Sequence, residues 1–254
     1  MARDYVPASS DRIVAVCASL HGLTACTIAC WAKFDTSSPA ANQYMLSFPS
    51  VSSGNHGIDL YITSAGKVTC AVSDGIGGSS VGVAVITIPD TTNWHFCCVK
   101  MSTSGSTVTV TLTVNSSTAT DTYTSSSGVG HGSSEINIGR FGTFGGHFDG
   151  KIAECAAWNV ALSAAEIASL AAKASPLLIR PSALKTYVPV LGYVTDEPNW
   201  AGTRLTSYSS TAASQVAHPP IVRIPAAIYA EFAAAAASGV APRAWHHLRN
   251  LHAA

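Results

Sequence analysis

The residues "STVTVTLTVN" at 106–115 set Val108, Val110, Leu112 and Val114 on one side of an extended chain and threonines on the other. Successive side chains leave a strand on opposite faces, so this alternation suits a strand with one face in a core and one in water. The pattern recurs. In "TACTIACWAKF" (24–34), Cys26, Ile28, Cys30, Ala32 and Phe34 share one face, and Thr27, Ala29, Trp31 and Lys33 the other. "GIDLYIT" (57–63) sets Ile58, Leu60 and Ile62 against Asp59 and Tyr61, and "KVTCAV" (67–72) follows a Ser-Ala-Gly turn as the second arm of a hairpin. "NWHFCCVKM" (93–101) pairs with 106–115 across "STSG", and "EINIGR" (135–140) is another short strand. Segments rich in Gly, Ser and Thr separate them, as at 73–80 and 124–134. Many short antiparallel strands joined in this way predict an all-β fold, a two-sheet jelly-roll sandwich.

One helix interrupts the pattern. "DGKIAECAAWNVALSAAEIASLAAK" (149–173) reads as a strand and then a short helix. Ser163 can cap it, Glu166 three residues on completes a capping box, and Leu162, Ile167 and Leu170 line one face. From Ser175 the chain has more Pro and only short apolar runs, which predicts two or three further strands with long connections. The Ala-rich end is helical by composition, broken at Gly239 and Pro242. The expected organisation is a sandwich over 1–175, Pro-rich strands completing or extending it over 176–225, and a helical arm over 226–254.

Charge narrows the function. Only 11% of residues are charged, with 14 basic and 14 acidic, against about 25% charged in a typical domain. A surface of Ser, Thr and Asn repels neighbouring copies weakly and suits packing against other subunits. The balance speaks against nucleic acid and an anionic membrane as partners. Met1–Ser10 has no signal-peptide core, and no apolar run reaches the roughly 18 residues of a membrane span. The seven cysteines include no C-x-x-C pair, which argues against a zinc ribbon. They read as free buried thiols of a protein folded in cytoplasm, with Cys97 and Cys98 on opposite faces of one strand.

The order of motifs resembles a laminin-G-like jelly-roll domain of the concanavalin A-like lectin/glucanase fold. "YVPASSDRIVAVCASLHGLTACTIACWAKFD" is similar to the family's opening strands. "NWHFCCVKM" is similar to its central strand, and "EINIGRFGTFGGHFDGKIAE" with the capped helix to its end. The resemblance covers about 3–173. "LGYVTDEPNWAGTRLTSYSS…AHPPI" resembles a continuation found in bacteriophage and prophage versions, which implies a virion.

Glycosidases of this fold carry E-x-D-x-x-E, which is absent. Asp149 and Glu154 stand at an odd spacing that puts them on opposite faces of a strand, so they read as a turn Asp and an edge Glu. "GSSVG" (78–82) leads into a strand and is not a nucleophile elbow, and no glycine pattern forms a dinucleotide site. His246, His247 and His252, with Arg243 and Arg249, read as a cation-rich helix end and not as a metal site. No catalytic, cofactor-binding or metal residue is therefore expected. Calcium is the one ion the resemblance admits, through Asp59, Asp74 and Asp149, although no stretch clusters carboxylates.

The expected function is that of a non-enzymatic phage virion structural protein: a capsid decoration or cement protein, a head-fibre subunit or a tail-associated one. It would be made and assembled in the host cytoplasm. Its partners would be its own copies and major capsid or tail proteins, met through Tyr229, Phe232, Trp245 and Arg249 of the arm and through Trp200. The alternative is a lectin-like module for host or environmental glycans, with Asn42, Tyr44 and Phe144 as contacts.

Overall fold

A computed structural model of the chain describes residues 2–6, 11–16, 23–49, 56–72, 82–124, 135–141, 145–191, 197–201, 206–209 and 214–221. The strands are β1 (Ala2–Tyr5), β2 (Arg12–Val16), β3 (Ala25–Phe34), β4 (Gln43–Pro49), β5 (His56–Ile62), β6 (Lys67–Val72), β7 (Gly82–Thr87) and β8 (His95–Ser104). They continue as β9 (Thr107–Val114), β10 (Ser117–Thr124), β11 (Glu135–Ile138), β12 (Gly150–Trp158), β13 (Leu184–Val188), β14 (Thr206–Ser209) and β15 (Ser214–Val216). One helix, α1 (Ala164–Ala171), follows β12.

Two antiparallel sheets face each other as a jelly-roll sandwich. The first runs β10-β9-β8-β3-β12-β1-β15, with β13 also on β12, and the second β14-β2-β11-β4-β5-β6-β7. Strands from 184–216 thus add to both sheets. The inner faces build the main core: Cys26, Ile28, Cys30 and Phe34 from β3, and Val108, Val110, Leu112 and Val114 from β9, meet Leu60, Ile62, Val68, Cys70, Ile136 and Ile138.

The outer face of the first sheet is buried as well over β3, β8 and β12. Ala29, Trp31, Phe96, Cys98, Ala153, Ala156 and Trp158 pack against Leu162, Ile167 and Leu170 at α1 and against Leu184 and Tyr187. Burial on both faces explains why "ACTIACWAKF" and "HFCCV" hold so little polarity. It also sends Cys97 to the main core and Cys98 to the outer one. The helix begins as its sequence predicts: Ser163 Oγ accepts from Glu166 N, while Glu166 Oε2 accepts from Ser163 N at 2.7 Å. The buried Thr27 hydroxyl donates to Val160 O and accepts from Leu162 N, both at 2.9 Å, and so ties β3 to the turn entering α1.

Glu154 corrects the sequence reading. It is not an edge residue: β12 is flanked by β3 on one side and by β1 and β13 on the other, and Glu154 is only 2% exposed. The odd-spacing argument fails because β12 carries a bulge between Ala153 and Ala156. Ile152 points into the main core before it, and Cys155 and Ala157 after it, so the parity of the strand flips at Glu154. The residue adopts φ +55°, and Val190 across from it, buried and β-branched, adopts φ +58°. Such backbone is uncommon without glycine and costs on the order of 1–3 kcal/mol per residue, so surrounding contacts must hold it.

The bulge marks a change of partner. β1 lies along Gly150–Ile152 and β13 along Cys155–Trp158, so two strands share one edge of β12. Glu154 N donates to Pro189 O at the join, and Glu154 Oε2 accepts from the Tyr187 hydroxyl at 2.5 Å. His218 Nε2 lies 2.9 Å from Glu154 Oε1, off the hydrogen-bond direction, while its Nδ1 is 2.8 Å from Pro219 O. Beside them the fully buried Arg3 on β1 pairs with Glu197 at 3.1 Å, and Glu197 Oε2 accepts from Leu191 N at 2.8 Å. Asn199 Oδ1 accepts from Tyr187 N at 3.0 Å.

Two outcomes follow. Tyr187→Phe removes the donor that Glu154 holds in the interior; an abandoned buried acceptor costs about 1–3 kcal/mol, read as a lowered urea midpoint at constant slope. The thiols supply the second. Burial raises Cys30, Cys70, Cys97 and Cys98, with Cys70 at about 12. The native protein keeps protons that unfolded thiols release above about pH 8.5. Stability is therefore complete below that pH and falls as pH rises through it. The urea midpoint should hold between pH 6 and 8 and decline toward pH 11. At pH 8, Cys26, Cys30, Cys70, Cys97, Cys98 and Cys155 should react with a thiol reagent only after denaturation.

Candidate functional site

The outer face of the second sheet is chemically unlike that of the first. Its residues alternate with the core positions of β2, β11, β4, β5 and β6, and cross-strand pairing aligns them in rows. One row runs Ala71, Asp59, Ser47, Asn137, Val14 from β6 to β2. Asp59 and Ser47 are fully buried and Asn137 nearly so. The next row is Thr69, Tyr61, Tyr44.

Tyr44 stands in the middle of three stacked rings. Tyr61 on β5 lies 4.9 Å away at 22°, and Phe141, just beyond β11, lies 4.7 Å away at 29°. Burial and then the Asp59 carboxylate hold the Tyr44 hydroxyl well above the ordinary phenol range and raise that of Tyr61 too, so both stay neutral donors. Asn42, exposed at the entry to β4, hydrogen-bonds the Tyr44 side chain. Gly146 makes room for the stack: a Cβ there would stand 2.6 Å from Tyr44 Cδ2, and its φ of +63° suits glycine. Its carbonyl accepts from Tyr44 N at 2.9 Å.

A cationic group adjoins the stack. Arg12 opens β2 and faces outward, because Ile13 and Ala15 face the core. Arg140 immediately precedes Phe141, and His147 follows Gly146. Burial and the Arg12 charge lower Arg140; burial and then Arg140 lower His147, against an opposing hydrogen bond to the Asp11 backbone. Arg12, Arg140, Phe141 and His147 are all half-buried.

The structure brings Asn42 and Tyr44 together, but both faces of the Tyr44 ring are covered, which leaves Tyr61, Phe141 and Asn42 as the accessible rim. Tyr61 and Phe141 escape a sequence reading. Tyr61 is legible as a ring on the polar side of "GIDLYIT", yet only the Tyr44–Tyr61 register makes it a platform. Trp200 is half-buried and meets Tyr187 edge-on at 5.3 Å. Phe144, Tyr229, Phe232, Trp245, Arg249 and Asp74 lie outside the described residues. Asp59 and Asp149 are not brought together. Asp149 sits by Lys151, which binds Asp35 at 2.6 Å and Asp4 at 3.1 Å. Among the described residues no group of three or more His, Cys, Asp or Glu is placed to hold a metal ion.

Solved structures share this architecture. A proposed carbohydrate-binding protein from Bacteroides ovatus ATCC 8483 superposes with a TM-score of 0.56 at 17% identity, over 87% of this chain and 61% of that one. The chain thus spans 61% of that protein's length. The Ruminococcus gnavus IT-sialidase CBM40 bound to α2,3 sialyllactose gives 0.51 at 18% identity, over 67% and 98%. Domains LG4-5 of the mouse laminin α1 chain give 0.46 at 15%, over 64% and 44%. At such identities the likeness to the first two is one of fold. No curated protein matches the sequence. The family model for the concanavalin A-like lectin/glucanases superfamily matches residues 7–168, well over half of the chain. By that match and by its two-sheet jelly roll, the chain belongs to the concanavalin A-like lectin/glucanase superfamily.

Proposed function

We propose that this chain is a non-enzymatic carbohydrate-binding module whose ligand lies across the rim formed by Tyr61, Phe141 and Asn42. The observation that carries the reading is the three-ring stack with an exposed amide at its edge. The C–H face of a sugar ring packs on an aromatic ring, and an amide both donates to and accepts from its hydroxyls. Tyr44, held on both faces, fixes the platform so that little freedom is lost on binding. Two fold relatives whose names refer to carbohydrate binding support the same class. The reading as a non-enzyme is supported by the burial of Glu154 against Tyr187 and by the engagement of Lys151 beside Asp149.

A second reading concerns context and is compatible with the first: the module is a subunit of a phage virion, assembled in the host cytoplasm through contacts with its own copies or with capsid or tail proteins. The charged fraction of 11% and the buried free thiols support it.

Nuclear magnetic resonance titration with oligosaccharides should move the signals of Asn42, Tyr61 and Phe141. Tyr61→Ala should weaken binding up to about tenfold, since a ring contact contributes roughly 0.5–1.5 kcal/mol beyond its area. Absence of binding across a broad glycan panel rejects the module reading. For the virion reading, light-scattering mass of the full chain is compared with a chain ending at Pro225. Association of the first beside a folded monomer of the second supports an assembly arm; two folded monomers exclude self-assembly through it.

A further inference from the structure

We infer that β10 is a docking edge for a second copy of the chain: two β10 strands pair antiparallel about a two-fold axis at Thr120 and join the first sheets of the two copies into one. The inference is independent of the carbohydrate-binding reading, whose ring stack belongs to the other sheet.

β10 ends the first sheet, and among the described strands it pairs with β9 alone. The register assigns its backbone groups. Ser117 lies opposite Val114 across the two-residue turn Asn115–Ser116, and residues flanking such a turn exchange both hydrogen bonds. Pairs then alternate, so Ala119, Asp121 and Tyr123 bond to Leu112, Val110 and Val108 of β9. The N–H and C=O groups of Thr118, Thr120, Thr122 and Thr124 point the other way, off the edge of the sheet. The 3.4 Å approach of Thr111 Oγ1 to Thr120 Oγ1 fits this assignment, because side chains come closest in the pairs without backbone bonds. All four threonines are exposed. Ala119 and Tyr123 pack on the main core, where β7 faces β10 from the opposite sheet, so β7 covers the inner face of β10 and not its edge.

Such an edge is a template for another strand, and proteins that must stay apart guard it with lysine, proline or a bulge. β10 has none of these. Its one charge, Asp121, shares the core-side face with Ala119 and Tyr123. The second copy is the fitting partner because the edge is complementary to itself. In antiparallel pairing about a two-fold axis threonine meets threonine along the row, and such cross-strand pairs are favourable. Asp121 selects the register. An axis at Asp121 sets the two carboxylates against each other, and one at Thr122 shortens the overlap to Thr120–Thr124. An axis at Thr120 pairs Ser117 through Tyr123 and sets Asp121 opposite Ala119 of the second copy. One strand edge falls short of the roughly 1,000 Å² of a stable interface, so the dimer is weak and reversible.

The test is sedimentation velocity of the full chain over a concentration series, with hydrogen exchange measured on the same samples. The expected result is a monomer–dimer equilibrium. As the dimer fills, the amides of Thr118, Thr120 and Thr122 exchange more slowly, while those of Ala119, Asp121 and Tyr123 stay protected throughout. Thr120→Lys and Thr120→Glu each set like charges across the axis and should weaken association severalfold or more. An equimolar mixture of the two variants should dimerise again, since lysine then meets glutamate. Circular dichroism confirms the fold of each variant, and the exchange measurement on the unaltered chain needs no variant at all. A full chain that stays monomeric throughout the series overturns the inference. So does association that both Thr120 variants retain and that leaves the edge amides exchanging as fast as before, because the contact then lies elsewhere on the chain.

Discussion

The structure turns on the shared edge of β12. That strand pairs with β3 along one side and divides the other between β1 and β13 at Glu154. A sheet edge left open in the interior would strand backbone donors and acceptors at a cost comparable to lost hydrogen bonds. The later part of the chain closes the gap. β13 takes the second half of the edge, Glu197 neutralises Arg3 and accepts from the backbone of Leu191, and His218 reaches Glu154. Removing one member of a buried ion pair leaves a charge without compensation. The segments carrying Tyr187, Glu197 and His218 are thus bound to the sandwich by polar interior contacts, which makes them part of the body of the fold.

Covering both faces of the first sheet and only the inner face of the second with apolar layers separates the work of the two sheets. The first, capped over β3, β8 and β12 by α1 and the chain around Tyr187, buries Trp31 and Trp158 on its outer face. The second carries Asp59, Ser47 and Asn137 in one row of its outer face and Tyr44 and Tyr61 in the next. At its β9–β10 end, where no apolar layer covers it, the first sheet meets water with threonine pairs in place of charges.

Legibility followed from how local each feature is. The strand at 107–114 and the Ser163 capping box are written in neighbouring residues, and the structure repeats them. The burial of Cys97 and Cys98 in different cores follows from alternation alone. Glu154 misled because alternation assumes an unbroken pleat, and nothing adjacent announces a non-glycine residue at φ +55°. Its partner Tyr187 lies 33 residues away in sequence. The candidate surface was half legible for the same reason. Asn42 and Tyr44 stand at a strand entrance where polar and aromatic residues invite attention, whereas Tyr61, Phe141 and Arg12 become neighbours only through pairing between four strands.

The ion pair of Arg3 with Glu197 joins residues 194 positions apart. Its consequence is temporal. β1 precedes the rest of the sandwich, yet among the described strands it pairs with β12 and β15, so it must wait, without its sheet, until almost the entire sandwich has been made. Closing such distant contacts is slow, because chain entropy is lost before the contact can compensate. The second sheet's β4-β5-β6-β7 meander, made of consecutive hairpins, has no such delay. Folding should therefore begin at that meander and finish at the seam, with β1 the last strand to lock.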